Sequence, residues 1–447
     1  MIINFSISNY RSVKDKVTLS FEPENSTDLG DYYFIEPCTG QKLLKLALIY
    51  GSNGSGKTTL LKGLSFLRAL ILTSTRDKHE KLNFWPFLFD EKSPKDPSKF
   101  ELMFIANGVK YFYEISFTTE AIIYERLDFY SPNKSLVFER TTDQERQLSF
   151  IKFGAKAKIK KSQEAILEAN TLWNSPVLNG FLKTNVDSNE LRNVTDWFLK
   201  VLKSLISPNT SFEHIISKGL ESKEISKNHV VQFLKKADFK ITDLTVEKKV
   251  TEYSGDNEVV EEILKVLTKR IESTLPSNGS MFSAVESVET IEVEFQHSVL
   301  NNGMVSKYNL PYKEESQGTQ RYFQYSGLLD QMLRNPSVVL IDELESSLHP
   351  DLVKHFLLLF LVNVKQCQLI ATTHYRELLM EREILRDDVI WFTEKKEDGS
   401  MELFALSDFD SSIVRDTTSV FNAYKSGKLG AVPQLSDYYI NLDNEAE

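Results

Sequence analysis

Leu46-Ala-Leu-Ile-Tyr50 followed by Gly51-Ser-Asn-Gly-Ser-Gly-Lys57-Thr58 is the stretch on which the reading of this chain turns. An apolar run, a glycine-rich octapeptide and an apolar-periodic stretch from Leu60 to Leu72 read in order as strand, loop and helix. That is the context a phosphate-binding loop requires. Glycines let backbone N–H groups turn inward around a polyphosphate, and the following helix N-terminus adds its partial positive charge. Lys57 is placed to reach the β- and γ-phosphates, and the Thr58 hydroxyl to ligate Mg²⁺. Asn53, Gly54, Ser55, Gly56 and Thr59 complete the expected nucleotide-binding set. The bland alternative, a flexible surface turn, requires neither the strand before it nor the helix after it.

At 447 residues the chain is long enough for two or three domains, and 41% apolar residues indicate a folded globular protein. No apolar stretch reaches the length of a membrane span, and Phe356 to Val364 reads as a buried helix. The start, Met1-Ile-Ile-Asn-Phe5, lacks the pattern of a signal peptide. Cys38 and Cys367 are the only cysteines, which fits a reducing, cytoplasmic compartment and no zinc site. The net charge of −10 argues against a surface that coats nucleic acid. The densest basic patch, Lys152, Lys156, Lys158, Lys160 and Lys161, reads first as a solvated face.

Alternation at Ile3, Phe5 and Ile7, then at Val17, Leu19 and Phe21, predicts a hairpin around Asn9-Tyr10-Arg11-Ser12. A second hairpin is expected around Asn107-Gly108, with a further strand from Ile122 to Tyr130. The first 140 or so residues then form a mixed sheet carrying the nucleotide loop. From Ser162 to Ala237 helical spacing dominates, and Leu191, Val194, Trp197, Phe198, Val201 and Leu205 form one apolar stripe. A strand over Ile241–Val250, an amphipathic helix over Val259–Leu275 and a strand over Ile291–His297 follow. The expected division is 1–150, 151–307 as a mostly helical insertion, and 308–447.

In the last part, Gln317 to Leu333 reads as a helix, and Val338-Val-Leu-Ile341 as a central parallel strand. That strand ends in Asp342-Glu343, an acidic pair at a carboxyl edge beside the phosphate loop. Asp342 is placed to hold Mg²⁺ and Glu343 to orient the attacking water, the parts phosphoryl transfer needs. The next buried strand, from Gln368, closes on Thr372-Thr373-His374, where a histidine can sense the γ-phosphate. Glu315-Ser316-Gln317-Gly318 opens a helix, and Ser with Gly at a helix N-terminus makes an anion site.

Taken in order, the phosphate loop, Ser316-Gln-Gly318, Ile341-Asp-Glu343, Ser347-Leu-His-Pro350 and Thr373-His374 resemble the ABC-type ATPases of the chromosome-maintenance and RecF-like branch. Asn9-Tyr10-Arg11-Ser12 resembles the opening of that branch. The tail from Tyr424 through Gly427 and Gly430 to Pro433 looks like the ending of a bacterial single-polypeptide subfamily of abortive-infection and anti-phage ATPases. The resemblance covers about 1–140 and 308–433. It implies an α/β ABC-type P-loop head, built from two lobes around an insertion, that binds ATP with Mg²⁺ and hydrolyses it to ADP and phosphate. It implies Lys57, Glu343 and His374 as catalytic residues, Thr58 and Asp342 as metal ligands, and Arg11 as a contact to the nucleotide or its phosphates. Ser316 and Gly318 match the signature that contacts the γ-phosphate held by another subunit, which implies a homodimer or higher homo-oligomer. Ser347 and His349 match the loop that crosses that dimer. One part departs from the pattern: no Gln lies between Gln41 and Gln144 to serve near the metal and water. Asn83 and Asp90 are the candidate substitutes.

The leading expectation is a defence ATPase that controls a separate effector, a nuclease or other toxin encoded nearby. The alternative is a DNA-repair or chromosome-maintenance clamp, which the net acidity and the absence of sustained heptads disfavour. A transporter subunit lacks a membrane-coupling segment. A built-in nuclease would rest on Asp408-Phe-Asp410, which reads better as a solvated loop.

Overall fold

The computed structural model describes residues 1–73, 77–237, 239–252, 287–409, 417–426 and 429. Two compact units emerge: Met1–Thr210 with Met332–Glu447, and Ser211–Gln331. The architecture is mixed α/β.

The first unit contains two large sheets. One is antiparallel throughout and is built from β1 (Ile2–Ser8), β2 (Val17–Ser20), β6 (Ser98–Ala106), β7 (Val109–Phe117), β8 (Ile122–Tyr130), β9 (Lys134–Asp143) and β10 (Leu148–Phe153). Its order is β10-β9-β8-β7-β6-β1-β2. Both expected hairpins are present. The turn between β6 and β7 places Asn107 and Gly108 at φ 49° and 75°, the left-handed pair that a two-residue hairpin favours. A two-stranded ribbon, β3 (Phe34–Cys38) with β4 (Gln41–Leu44), leads into β5 (Leu46–Gly51).

β5 does not join the first sheet. It lies in a second one with β11 (Leu202–Ile206), β15 (Ser337–Ile341), β16 (Cys367–Thr372), β17 (Ile390–Lys395) and β18 (Met401–Ala405), in the order β11-β15-β16-β5-β17-β18. The first five strands run parallel, and β18 closes the edge antiparallel to β17. The expectation of one N-terminal sheet carrying the nucleotide loop is thus corrected. Every residue of β5, β15 and β16 is buried, as strands covered on both faces must be, and that burial is available only between β16 and β17. Gln368 of β16 ties the two sheets together. Its side chain accepts from the Ile2 N–H at 2.6 Å and donates to the Ile2 and Leu44 carbonyls at 2.8 and 3.2 Å.

The insertion expected over 151–307 divides differently. Residues 151–210 cluster with the first unit, chiefly because β11 pairs with β15. The apolar stripe from Leu191 is helical only to Asp196. A π-turn over Trp197–Val201 follows, and Leu205 belongs to a strand. The five lysines from Lys152 to Lys161 are exposed, as expected of a solvated face.

The second unit holds helices Glu213–Glu221 and Lys227–Lys236 and an antiparallel sheet of β12 (Ile241–Glu252), β13 (Ser287–Asn301) and β14 (Met304–Pro311). Strands therefore take a larger share of it than the helical expectation allowed. Ile216, Leu220, Val230, Leu234, Leu244, Val293, Phe295 and Phe323 fill its core. The helix expected over Val259–Leu275 lies outside the described residues. The long helix Gln317–Arg334 begins in this unit.

Candidate functional site

At the carboxyl end of β5 the chain enters the glycine loop. Gly54 and Gly56 adopt φ 78° and 102°, conformations that side chains strain to reach. A Cβ on Gly51 would stand 2.3 Å from Thr393 Oγ1 and 2.4 Å from Ser55 Oγ, so the loop is closed down on β17. Ser55 and Thr393 hydroxyls lie 2.7 Å apart. Gly56 caps the helix Lys57–Leu72 without any side-chain acceptor, which leaves the first-turn N–H groups available to an anion.

Lys57 is buried and folds back on the loop, donating to the Gly51 and Ser52 carbonyls, each at 2.9 Å. Desolvation pulls its ammonium down to about 8, against the opposing pull of Asp342, Glu343 and Glu345. Thr58 Oγ1 donates to Asp342 Oδ1 at 2.9 Å, although 284 positions separate the two residues. This bond brings the loop and the acidic pair together.

The acidic pair is held by strand neighbours. β16 lies between β15 and β5, and its last residue, Thr372, reaches sideways. Thr372 Oγ1 donates to Asp342 Oδ1 at 2.6 Å and accepts the Glu343 N–H at 2.8 Å. The Asp342 N–H donates to the Ile206 carbonyl of β11 at 2.8 Å. Asp342 is buried, whereas Glu343 is exposed and sits at φ 52°. A non-glycine residue in this region is strained and needs its surroundings to hold it; Thr372 supplies part of that restraint.

His374 follows Thr373 at the end of the same strand. Glu345 grips this turn with both oxygens. Oε1 accepts the His374 N–H at 2.6 Å, and Oε2 accepts from Thr373 Oγ1 at 2.7 Å. Desolvation first, and the Lys57 charge second, push the His374 imidazole below its ordinary value of 6.5, so it is neutral at pH 7. Thr372 and Glu345 carry no motif of their own, and only their position beside Asp342 and His374 marks them. Ser347 is exposed at φ 64°, and His349 is exposed, its Nδ1 accepting the Asp351 N–H at 3.3 Å.

Arg11 and Ser12 meet the loop from the other sheet. Ser12 and Thr59 hydroxyls are 2.7 Å apart, and the Met401 N–H donates to the Ser12 carbonyl at 2.7 Å. Arg11, Ser12, Gly54, Lys57, Thr59 and Lys62 are among the residues that line a cavity of about 270 Å³. A larger cavity, of about 500 Å³, is lined by Pro336 and Gln366, so it lies at the amino ends of β15 and β16, away from these groups.

The two candidate substitutes for the missing Gln fare poorly. Asp90 accepts from the Lys92 and Ser93 N–H groups and the Ser93 hydroxyl, and pairs with Lys14 at 3.3 Å. The Ser93 N–H above all holds its carboxyl down to about 2. Its oxygens are committed to a turn. Asn83 is exposed. Asp408 accepts its own turn's Ala405 N–H at 2.8 Å, Asp410 lies outside the described residues, and no cluster of three or more acidic, His or Cys ligands occurs among the described residues.

Ser316 and Gly318 belong to the second unit. The Ser316 hydroxyl accepts the Thr319 N–H at 3.2 Å, capping the helix Gln317–Arg334, and Ser316 itself is exposed. His297 of β13 contacts the Glu315 carboxylate at 2.6 Å, which anchors the residue just before the cap. In the tail, Tyr424 stacks on Phe392 at 5.5 Å, while Gly427 and the residues from Gly430 to Pro433 lie outside the described residues. Among the described residues no helix is long and apolar enough to cross a membrane.

No curated protein matches the chain. Solved structures that resemble it are an Smc head bound to the C-winged helix domain of ScpA (12% identity, 90% of this chain and 97% of that one, TM-score 0.40) and an SMC head domain from Thermotoga maritima (12%, 90% and 98%, 0.39). A third is an Smc head domain with an extended coiled coil, bound to the C-terminal domain of ScpA derived from Pyrococcus furiosus (15%, 96% and 98%, 0.30). Over residues 46–381, from the strand before the glycine loop to beyond His374, the chain matches a family model, and it belongs to that family, described as AAA domain, putative AbiEii toxin, Type IV TA system.

Proposed function

We propose that this protein is an ABC-type ATPase that closes as a dimer around ATP and, through that closure, controls a partner effector in anti-phage defence. The observation that carries the ATPase reading is the 2.9 Å bond between Thr58 and Asp342, with Lys57 at its side and Glu343 beyond it. Two oxygens of the hard type that Mg²⁺ prefers converge there, one from the first turn of the helix Lys57–Leu72 and one from the end of β15. The donor set fits an ion that keeps waters and takes few protein ligands, so Thr58 and Asp342 would hold Mg²⁺. When bound, the ion offsets the charge of the phosphates.

The chain's own groups then have distinct tasks. Lys57 exchanges the Gly51 and Ser52 carbonyls for phosphate oxygens, an exchange that also returns its proton affinity toward normal. Glu343, exposed on a restrained backbone, orients the attacking water. Neutral His374 donates to the γ-phosphate from a turn that Glu345 keeps still. Ser316, exposed at a capped helix start, and half-buried Gly318 beside it suit contact with the γ-phosphate of a second copy. The effector half of the proposal is supported by the family, whose description names a toxin system.

The test is Glu343→Gln. It is expected to bind ATP, to stop turning over and to accumulate as an ATP-bound dimer measurable by light scattering, and that dimer should capture the product of a neighbouring effector gene. A Glu343→Gln protein that hydrolyses ATP normally and stays monomeric refutes the site. A normal dimer with no effector and no protection against phage refutes the defence role alone.

A further inference from the structure

We infer that His297 is a positioning residue for turnover: through Glu315 it holds Ser316 where a second copy of the chain can use it. The inference rests on the reading of Ser316 as a γ-phosphate contact in trans, and adds a residue from another element on which that contact depends.

The chain reaches Ser316 from β14 through one 3₁₀ turn, Tyr312–Glu314. Two restraints fix this approach. One comes from the helix that Ser316 caps. Gln320 Nε2 donates to the Tyr312, Lys313 and Glu315 carbonyls at 3.1, 3.4 and 2.9 Å, and Gln324 Nε2 donates to the Tyr312 hydroxyl at 2.7 Å. These bonds tie the approach to its own helix. The other restraint comes from β13, where His297 Nε2 stands 2.6 Å from Glu315 Oε1. A carboxylate only accepts, so that nitrogen carries the hydrogen.

The contact is sheltered. The Glu315 side chain is 8% exposed and that of His297 24%, so little water can replace the imidazole if it is lost. His297 also stands on a firm floor. It pairs with Ile241 of β12 on one side and Tyr308 of β14 on the other. Phe295, two positions earlier and so on the same face of β13, packs edge-on against Phe323 of the capped helix at 5.2 Å. Strand and helix are therefore already packed together, and the imidazole adds a polar bond at the residue preceding the cap. One peptide link separates Glu315 from Ser316, so a shift of the first displaces the second. A contact to a transferring phosphoryl group loses rate steeply when it is misplaced.

The experiment measures hydrolysis by full-chain variants, alone and in mixtures made before ATP is added. His297→Ala should lose at least about ten-fold in kcat, which is about 1.4 kcal/mol, while ATP affinity at Lys57 changes less than about two-fold. His297→Gln can still donate to Glu315 and should recover most of the rate. His297→Phe keeps a ring, lacks the donor, and takes the place of His297→Ala if that variant does not fold. The second arm mixes His297→Ala with Glu343→Gln, each nearly inactive alone. In the mixed dimer one site joins Lys57 and Glu343 of the first chain to the intact Ser316 approach of the second. Activity should return to about a quarter of wild type, one good site in half of the dimers. Ser316→Ala mixed with Glu343→Gln is the control and should recover likewise. Recovery in the control but not with His297→Ala places the defect within that chain and overturns the inference, as does wild-type turnover by His297→Ala. No recovery in the control refutes the trans role of Ser316 itself, and the inference with it.

Discussion

Thr372→Val removes one oxygen atom from a residue of unchanged shape, and that oxygen serves both halves of the acidic pair. Thr372 is fully buried. Its hydroxyl donates to Asp342 at 2.6 Å and accepts the Glu343 N–H at 2.8 Å. A hydrogen bond to a charged acceptor contributes about 1.5–3 kcal/mol, and a backbone donor left without its partner costs about 1–3 kcal/mol, less where water can reach it as it can beside exposed Glu343. Valine's extra methyl returns about 0.8 kcal/mol of apolar burial. The net loss is about 2 kcal/mol, felt where Asp342 is aimed and where Glu343 is kept in its left-handed backbone. Because Thr58 still holds the same Asp342 oxygen, the fold should survive and the defect should appear in turnover. We expect kcat/KM for ATP to fall about thirty-fold, which 2 kcal/mol corresponds to, and the required Mg²⁺ concentration to rise. Thr372→Ser keeps the hydroxyl and should stay within a few-fold of wild type. The assay is steady-state hydrolysis across an Mg²⁺ series, with thermal melting run on the same samples. If Thr372→Val turns over at the wild-type rate while Thr372→Ser does not, the hydroxyl is not what positions the pair.

Other outcomes follow from the same geometry. Gly56→Ala should lose ATP binding, because φ is 102° and the new Cβ would stand 2.5 Å from Met401 Sδ and 2.6 Å from Ser12 Oγ; Gly54→Ala, strained at φ 78° but facing open space, should lose only the ~1–2 kcal/mol of the backbone penalty in an ATP titration. The Lys57 value of about 8 lies below its ordinary 10.5, so ATP binding above pH 8 must take up a proton, seen by calorimetry in buffers of different ionisation enthalpy, and affinity should fall as pH rises through 8. In the unliganded protein the same shift means that the buried charge opposes folding below pH 8 and is relieved between 8 and 10.5. Lys57→Met should therefore melt higher than wild type at pH 7 while binding no ATP. His374, lowered from 6.5, stays neutral down to that pH. Its protonation should depress turnover only below pH 6.5, and a loss in wild type centred higher that disappears in His374→Gln would contradict the assignment.

Much of the site could be read because its parts are local. A strand, a glycine loop and a helix are consecutive, and Asp342-Glu343 follows its strand directly. The sheet that joins them was harder to read. Alternation in β1, β6 and β7 shows which residues are buried but not which strand lies beside which, and β5 finds its partners more than 300 positions away in β16 and β17. β11 shows the same limit in small. Leu202, Leu205 and Ile206 are spaced as on a helix face, and only the open edge of β15 makes them a strand. Thr372 reads as an ordinary β-former in an apolar run, since its value depends on where Asp342 comes to lie. Asp90 shows the reverse: a carboxylate at a suggestive place in the chain turns out to be spent on its own turn.

These particulars bear on what it means for the site to be built from two sheets. Lys57, Asp342 and His374 depend on the parallel sheet alone, whereas Arg11 and Ser12 arrive from the β1–β2 turn of the antiparallel one. The two contributions meet through Ser12–Thr59 and through the Met401 N–H to the Ser12 carbonyl, and Gln368 fixes the sheets to each other at the opposite, amino end of β16. Changes at Thr372 or Glu345 should therefore alter turnover and leave the Ser12–Thr59 contact in place. A nucleotide fully engaged with both contributions would link the two sheets at the carboxyl end as Gln368 links them at the other, so ATP binding should stiffen the first unit as a whole and not the loop alone.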